Sequence, residues 1–277
     1  MKFFKYLSIL LILILLSVSF LYLNNEYRWV KDLAYSSQSM SSSFSYSSSS
    51  SSSIDYKYKY YYNNKQDINL VMFNGDIDLV YNSKVANTFE DISKQNNFDL
   101  AINGGYFSDT RTYAGLLILN GVVKTKLSTS DSQLNAIVLL NRNSGEIKFF
   151  NVKDFNVSNY LSKSEYIIFQ TGPIIIKNNL INNTDINNSV NGLGKYYRSV
   201  IGITKSGKKF IAISTDLYLL NDLAVQLLKM DPLKNESIDV INLDGGSSTA
   251  IYSFENRDFT FGSFKVLPIV LGIKSKS

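Results

Sequence analysis

From residue 67 onward, short apolar runs alternate with Asn-Gly and Ser-Gly pairs, the pattern of strands joined by tight turns. Ile68–Phe73 and Ile77–Tyr81 flank Asn74-Gly75, and Leu116–Leu119 and Val122–Lys126 flank Asn120-Gly121. Ala136–Leu140 and Glu146–Phe150 flank Ser144-Gly145, and Val200–Thr204 and Lys208–Ser214 flank Ser206-Gly207. Each pair of runs reads as a β-hairpin, because these small residues accept the left-handed backbone that suits the twist of the strands. Further strands are predicted at Phe98–Ile102, Tyr166–Phe169 and Ile238–Leu243. Helical spacing occurs twice. Val85, Ala86, Phe89 and Ile92 share one face within Ser83–Asn96, and Leu220, Leu223, Ala224, Leu227 and Leu228 mark a helix over Asn221–Met230. The pattern predicts an α+β fold: a mixed, mostly antiparallel sheet with helices packed on it, in a single domain spanning 64–277.

The first 35 residues follow a different pattern. Lys2 and Lys5 precede an uncharged apolar run from Tyr6 to Leu23, about one bilayer span at ~1.5 Å per residue. The charges just beyond it (Glu26, Arg28, Lys31, Asp32) cancel, so the positive-inside rule places the rest of the chain outside the cytoplasm. The apolar run continues through Phe20–Leu23, past the small residues Ser17-Val18-Ser19. That favours an uncleaved membrane anchor over a protein secreted after signal-peptide cleavage. Residues 36–53 are dominated by serine and cannot bury enough apolar surface to order themselves, which predicts a disordered spacer. Tyr56 to Tyr62, interleaved with Lys57 and Lys59, has the period of an edge strand or of a juxtamembrane patch, and is assigned to the end of the spacer (36–63).

Composition narrows the chemistry. The 277 residues include no histidine and no cysteine, which removes His-assisted and thiol nucleophiles, thiolate and His-based zinc sites, and disulfides. No cofactor is firmly implied; a bound metal would need oxygen ligands, and so would be calcium or magnesium. The net charge of +5 comes from scattered lysines without a basic cluster, so nucleic acid is not an expected partner.

Polar chemistry is concentrated in two glycine turns at strand ends. Val240-Ile-Asn-Leu-Asp-Gly-Gly-Ser-Ser-Thr249 sets Asp244 on the lip of a strand, followed by Gly245, Gly246, Ser247 and Ser248. Ala101-Ile-Asn-Gly-Gly-Tyr-Phe107 repeats the design with Asn103, Gly104, Gly105 and Tyr106. Two further features accompany them: Gln170-Thr-Gly-Pro173, with Gly172 at a turn between strands, and Arg198 at the mouth of the Val200 strand after an Asn- and Gly-rich loop (182–194).

In this order the motifs resemble the phosphodiester glycosidase family. The resemblance runs through NGGYF, the Gly-Leu-Leu-Ile-Leu-Asn-Gly hairpin, Gly-Pro and an apolar strand, Arg-x-x-Ile-Gly-Ile, and Asn-Leu-Asp-Gly-Gly-Ser-Ser-Thr, over residues 67–273. Family members usually carry Arg-Thr where this chain has Arg198-Ser199, and many have Asp-Gly-Arg where it has Ser214-Thr215-Asp216-Leu217. One glycine fewer precedes the serines than in the family pattern. The resemblance implies hydrolysis of a sugar 1-phosphodiester on an extracytoplasmic glycan or glycoconjugate. Arg198 would then meet the phosphoryl oxygens and Asp244 the anomeric carbon, as nucleophile or base. Asp216 would be a second carboxylate, acting as general acid/base or metal ligand. The Asn103 amide, the Gly104 and Gly105 N–H groups, Ser247 and Ser248 would hold sugar hydroxyls or phosphate, with Tyr106 as a stacking platform and Gln170, Gly172, Gly245 and Gly246 lining the substrate. The competing expectations are a non-catalytic glycan-binding or envelope-assembly protein with the same cleft, and a calcium module using Asp216 and Asp244.

Overall fold

A computed structural model describes residues 57–63, 67–82 and 87–275. The expected anchor, the serine spacer, and Val85 and Ala86 of the first expected helix lie outside them. Among the described residues no helix is long and apolar enough to cross a membrane.

In chain order the strands are β1 (Tyr58–Asn63), β2 (Ile68–Phe73), β3 (Gly75–Tyr81), β4 (Leu100–Asn103), β5 (Leu117–Leu119) and β6 (Val122–Thr125). They continue as β7 (Ala136–Asn141), β8 (Ile147–Asn151), β9 (Tyr166–Thr171), β10 (Ile174–Lys177), β11 (Leu180–Ile181) and β12 (Ser199–Thr204). The remaining strands are β13 (Lys209–Ser214), β14 (Ile238–Asn242), β15 (Ile251–Ser253) and β16 (Ile269–Ser275). Three helices accompany them: α1 (Phe89–Gln95), α2 (Asn183–Asn188) and α3 (Leu220–Lys229).

The single mixed sheet expected from the sequence is instead three sheets. A seven-stranded sheet runs β1-β2-β13-β12-β14-β10-β11, a four-stranded one β15-β4-β16-β3, and a five-stranded one β6-β5-β9-β7-β8. Every pairing between these strands is antiparallel. Inward residues of all three sheets, among them Val71, Leu79, Ile102, Phe169, Ile201 and Leu271, form one shared core. The outer face of the seven-stranded sheet is covered by α2 and α3, whose Ile186, Leu220, Leu223, Ala224 and Leu227 pack on Phe210, Ala212 and Val240. Helix α1 covers the four-stranded sheet through Phe89 and Ile92. A reciprocal capping box fixes the start of α1: Thr88 Oγ1 accepts the Asp91 N–H, and Asp91 Oδ2 accepts the Thr88 N–H.

The hairpins at Asn120-Gly121, Ser144-Gly145 and Ser206-Gly207 form as the sequence predicts. The one at Asn74-Gly75 does not. Both edges of β2 are already taken, by β1 and by β13, so the chain turns at Gly75 out of the seven-stranded sheet and β3 pairs with β16 in another. The tyrosine-rich stretch assigned to the spacer is β1, an edge strand in register with β2. Its alternate tyrosines reach toward the four-stranded sheet: Tyr58 donates to Asp99 (2.8 Å), Tyr60 bonds Ser253 (2.8 Å), and the Tyr60 and Tyr62 rings meet Phe259 edge-on. The soft loop 182–194 contains α2, because Asn182 caps it and Ile186 is fully buried.

Candidate active site

The ends of β4 and β14 and the mouth of β12 meet where the seven- and four-stranded sheets abut. Asn103 stitches them together. Its Oδ1 accepts the Ser199 hydroxyl (2.6 Å) and the Ala250 N–H (3.0 Å), and its Nδ2 donates to the Asp244 carbonyl (2.7 Å) and the Gly104 carbonyl (3.3 Å). The Asp244 N–H donates to the Gly104 carbonyl (3.0 Å), which ties the two glycine turns to each other. Ser199 supplies the hydroxyl that Asn103 needs, so the change from the family's usual threonine keeps this bond. All four hydrogen-bonding positions of the Asn103 amide are used within the protein, which makes it a clamp and leaves nothing for a sugar. Asn103→Ala is therefore expected to cost about 3 kcal/mol, roughly 6–12 °C in Tm, through the buried partners it strands. Thermal unfolding checks this; an unchanged Tm with lost ligand binding would return the amide to substrate.

The turn after β14 is pressed onto the chain beside it. A Cβ at Gly245 would lie 2.6 Å from the Tyr197 carbonyl oxygen, and Gly246, at φ +59°, donates its N–H to that same carbonyl. This leaves Asp244 at a shallow cleft lined by Asn103, Gly105, Phe107, Ser248 and Pro268.

Asp244 keeps an open edge on the cleft and is otherwise walled in. Burial is the largest influence on it and pushes the carboxyl up to about 7. The Ser248 hydroxyl, the Gly245 N–H (2.9 Å) and the charge of Lys265 act in the other direction. Tyr106 stands close by. Its hydroxyl donates to the Gly172 carbonyl (3.0 Å) and accepts from Asn242 Nδ2 (2.8 Å), while burial and the Asp244 charge push it up and hold it protonated.

Arg198 is 2% exposed yet pairs with no carboxylate among the described residues. Three carbonyls hold it: Nε donates to Tyr218 (3.0 Å), and Nη2 to Asn191 (2.9 Å) and to Gly194 (2.5 Å). The guanidinium lies over the Tyr196 ring at 5.1 Å, and burial pulls it down to about 10. Nη1 has no acceptor among the described residues. Arg198 therefore keeps one guanidinium nitrogen in reserve, but it is buried and does not itself line the cleft at Asp244.

The other expected site residues are placed as follows. Gly104 donates its N–H to the Ile269 carbonyl, while the Gly105 N–H has no acceptor among the described residues. Ser247 is exposed and Ser248 buried beside Asp244. Gln170 has a different task from the one expected. Its Nε2 donates to the Ser128 and Leu134 carbonyls and its Oε1 accepts the Leu116 and Ser128 N–H groups, so it braces backbone and has no capacity left for substrate. Gly172 contributes its carbonyl to Tyr106 and Asn242. Asp216 is exposed, accepts the Leu217 N–H and does not line the cleft. Among the described residues no three acidic side chains gather as a cation cluster.

Two residues near the site were not among the expected site residues. Asn242 opens the Asn-Leu-Asp-Gly-Gly-Ser-Ser-Thr motif, but its contacts with Tyr106 and Gly172 appear only in the fold. Lys265 sits in a loop with nothing in the sequence to mark it.

Residues 96–273 match the phosphodiester glycosidase family. No curated protein matches the chain. Its structure is similar to the catalytic domain of zebrafish N-acetylglucosamine-1-phosphodiester alpha-N-acetylglucosaminidase, auto-inhibited by its pro-peptide. The TM-score is 0.56 at 15% identity, over 79% of this chain and 82% of that one. It is also similar to a hypothetical protein from Synechocystis, with a TM-score of 0.52 at 12% identity, over 79% of this chain and 61% of that one. At these identities the likeness is one of fold.

Proposed function

This chain belongs to the phosphodiester glycosidase family, and on that premise we propose that it hydrolyses the bond between a sugar's anomeric carbon and a phosphodiester. The observation that carries the reading is the single enclosed carboxylate. Asp244 is the one acidic side chain lining the cleft among the described residues. Ordinary glycosidases use two carboxyl groups about 5–9.5 Å apart, one of them to protonate a poor leaving group. A phosphate monoester leaves as a stable anion and needs little such help. With the leaving group taken by Arg198, one carboxylate suffices to attack C1 or to activate water there. Gly105 N–H and Ser248, which line the cleft, would orient the sugar, with Tyr106 behind them. The apolar run near the N-terminus supports a substrate outside the cytoplasm, on a glycan or glycoconjugate, with the chain anchored to the membrane.

Hydrolysis in 18O-labelled water tests this. The protein, given a panel of sugar 1-phosphodiesters, is expected to release free sugar labelled at C1 together with an unlabelled phosphomonoester. Label in the phosphate would make it a P–O phosphodiesterase. Saturable binding without turnover would favour a glycan-binding protein with the same cleft.

A further inference from the structure

The chain just before Arg198 carries an apolar face that the reaction sketched above leaves without a task. Val190, Leu193 and Tyr196 are 72%, 66% and 40% exposed, and they fall at every third position of one short loop. Positions between them turn inward. Ser189 and Gly192 are buried, and a Cβ on Gly192 would run into the Ile186 carbonyl of α2. Arg198 Nη2 gathers the loop by donating to the carbonyls of Asn191 and Gly194. Tyr196 is tied to Tyr218 through two backbone bonds (3.2 and 2.8 Å). A fixed backbone thus holds the three apolar side chains out into solvent. Exposed apolar side chains are ordinary when scattered and informative when a well-held loop groups them.

The loop is continuous with the turn that carries Asp244. The Tyr196 ring lies across Gly194, where a Cβ would run into it, and its Cδ1 is 3.9 Å from the Cβ position of Gly246. The Arg198 guanidinium stands 5.1 Å from the ring centre, and Arg198 Cδ is 3.8 Å from the Cβ position of Gly245. A ligand reacting at Asp244 therefore has the Tyr196 ring beside it, with Leu193 and Val190 on the same loop. We propose that this face binds the alcohol half of the phosphodiester, and that the alcohol is aliphatic: the substrate is a sugar phosphate esterified to a lipid alcohol. The proposal rests on Asp244 being the reacting carboxylate, as above. A second sugar in this place would ask for hydrogen-bonding side chains, and Val190 and Leu193 offer none. An alkyl chain asks for none and gains by leaving water. The charge pattern agrees. Residues 189–196 include no carboxylate, and their one charged residue, Lys195, is exposed and has the sign that attracts a phosphodiester anion. Asp216, two residues before Tyr218, is turned to its own backbone at the Leu217 N–H (2.7 Å).

Two readouts on full-length protein test this, one of turnover and one of binding alone. Turnover is compared on the hexyl and the methyl phosphodiester of the same sugar, and binding of hexyl phosphate is followed by saturation-transfer NMR. Wild type is expected to favour the hexyl ester about tenfold or more in kcat/KM, because each methylene withdrawn from water adds to the discrimination. Val190→Ser combined with Leu193→Ser, both at exposed positions, should bring that ratio toward one and abolish transfer to the hexyl chain. Leu161→Ser, at an exposed leucine beside the β5–β6 hairpin, should change neither readout. Equal turnover of the two esters by wild type, or a preference that survives the double variant, would overturn the proposal and leave the hydrolysis standing. Hexyl phosphate bound through Val190 and Leu193 with neither ester turned over would keep the apolar site and remove the reaction. Absence of both binding and turnover would overturn both. A double variant with a smaller oligomeric mass and an unchanged ester ratio would make the face a contact between copies of the chain, and overturn the proposal as well.

Discussion

Asp244→Asn is expected to remain folded and to bind substrate, but to lose turnover by ~10³-fold or more. The amide keeps the shape of the side chain and can still meet the Gly245 N–H and the Ser248 hydroxyl, but it neither attacks C1 nor accepts a proton. Stability supplies an independent sign. In the native protein the carboxyl holds its proton up to about pH 7, whereas its ordinary value is 3.8. Across that interval the folded state binds more protons than the unfolded chain, so the contribution of Asp244 to stability falls as pH rises from about 4 to about 7. Asparagine carries no charge to bury. The variant should therefore melt at the same temperature as wild type at pH 4 and at an equal or higher one at pH 8. A catalytic group retained at a cost to stability behaves in this way. A variant that melts earlier at pH 8 and loses binding with activity would make Asp244 a structural residue.

Arg198→Lys should lower kcat/KM on sugar phosphodiesters about 10- to 100-fold, the value of one charge-assisted hydrogen bond of ~1.5–3 kcal/mol. A single ammonium cannot reach Tyr218, Asn191 and Gly194 at once and still keep a donor in reserve, whereas the guanidinium holds all three and has Nη1 left over. Kinetics on a phosphodiester and on an aryl glycoside with the same sugar separate the possibilities. Loss confined to the phosphodiester supports a phosphoryl seat, and equal loss on both makes Arg198 only the fastening of the 189–196 loop.

Much of this could be read from the chain because it is local. Asn120-Gly121 has positive φ at both residues, the backbone its hairpin requires, and the pair itself announces that. Leu220, Leu223, Ala224 and Leu227 give a helix face whatever lies beneath it. The glycine turns around Asn103 and Asp244 were visible as strand ends rich in donors. What stayed hidden depends on partners distant in sequence. Nothing near Asn74-Gly75 reveals that β13, well over a hundred residues on, has taken the edge of β2. The amides of Asn103 and Gln170 looked free to meet a ligand because backbone partners such as Ala250 and Leu134 reach them only in the folded chain. Lys265 lies in a loop without pattern, and only the folded chain brings it onto the Thr249 carbonyl and the Phe261 ring.

The tyrosine-faced edge strand decides where the domain can begin. A chain shortened within the serine-rich segment would keep β1 on β2. A cut a few residues later, after Asn63, would remove the strand, uncover Phe259 and leave the backbone N–H and C=O groups of β2 unpaired along one side. Such a bared edge recruits the nearest strand, and on a crowded surface that is the same segment of a second copy. Trimming before Tyr58 thus keeps the sheet as it stands, and trimming after Asn63 exposes a more apolar edge prone to edge-to-edge pairing.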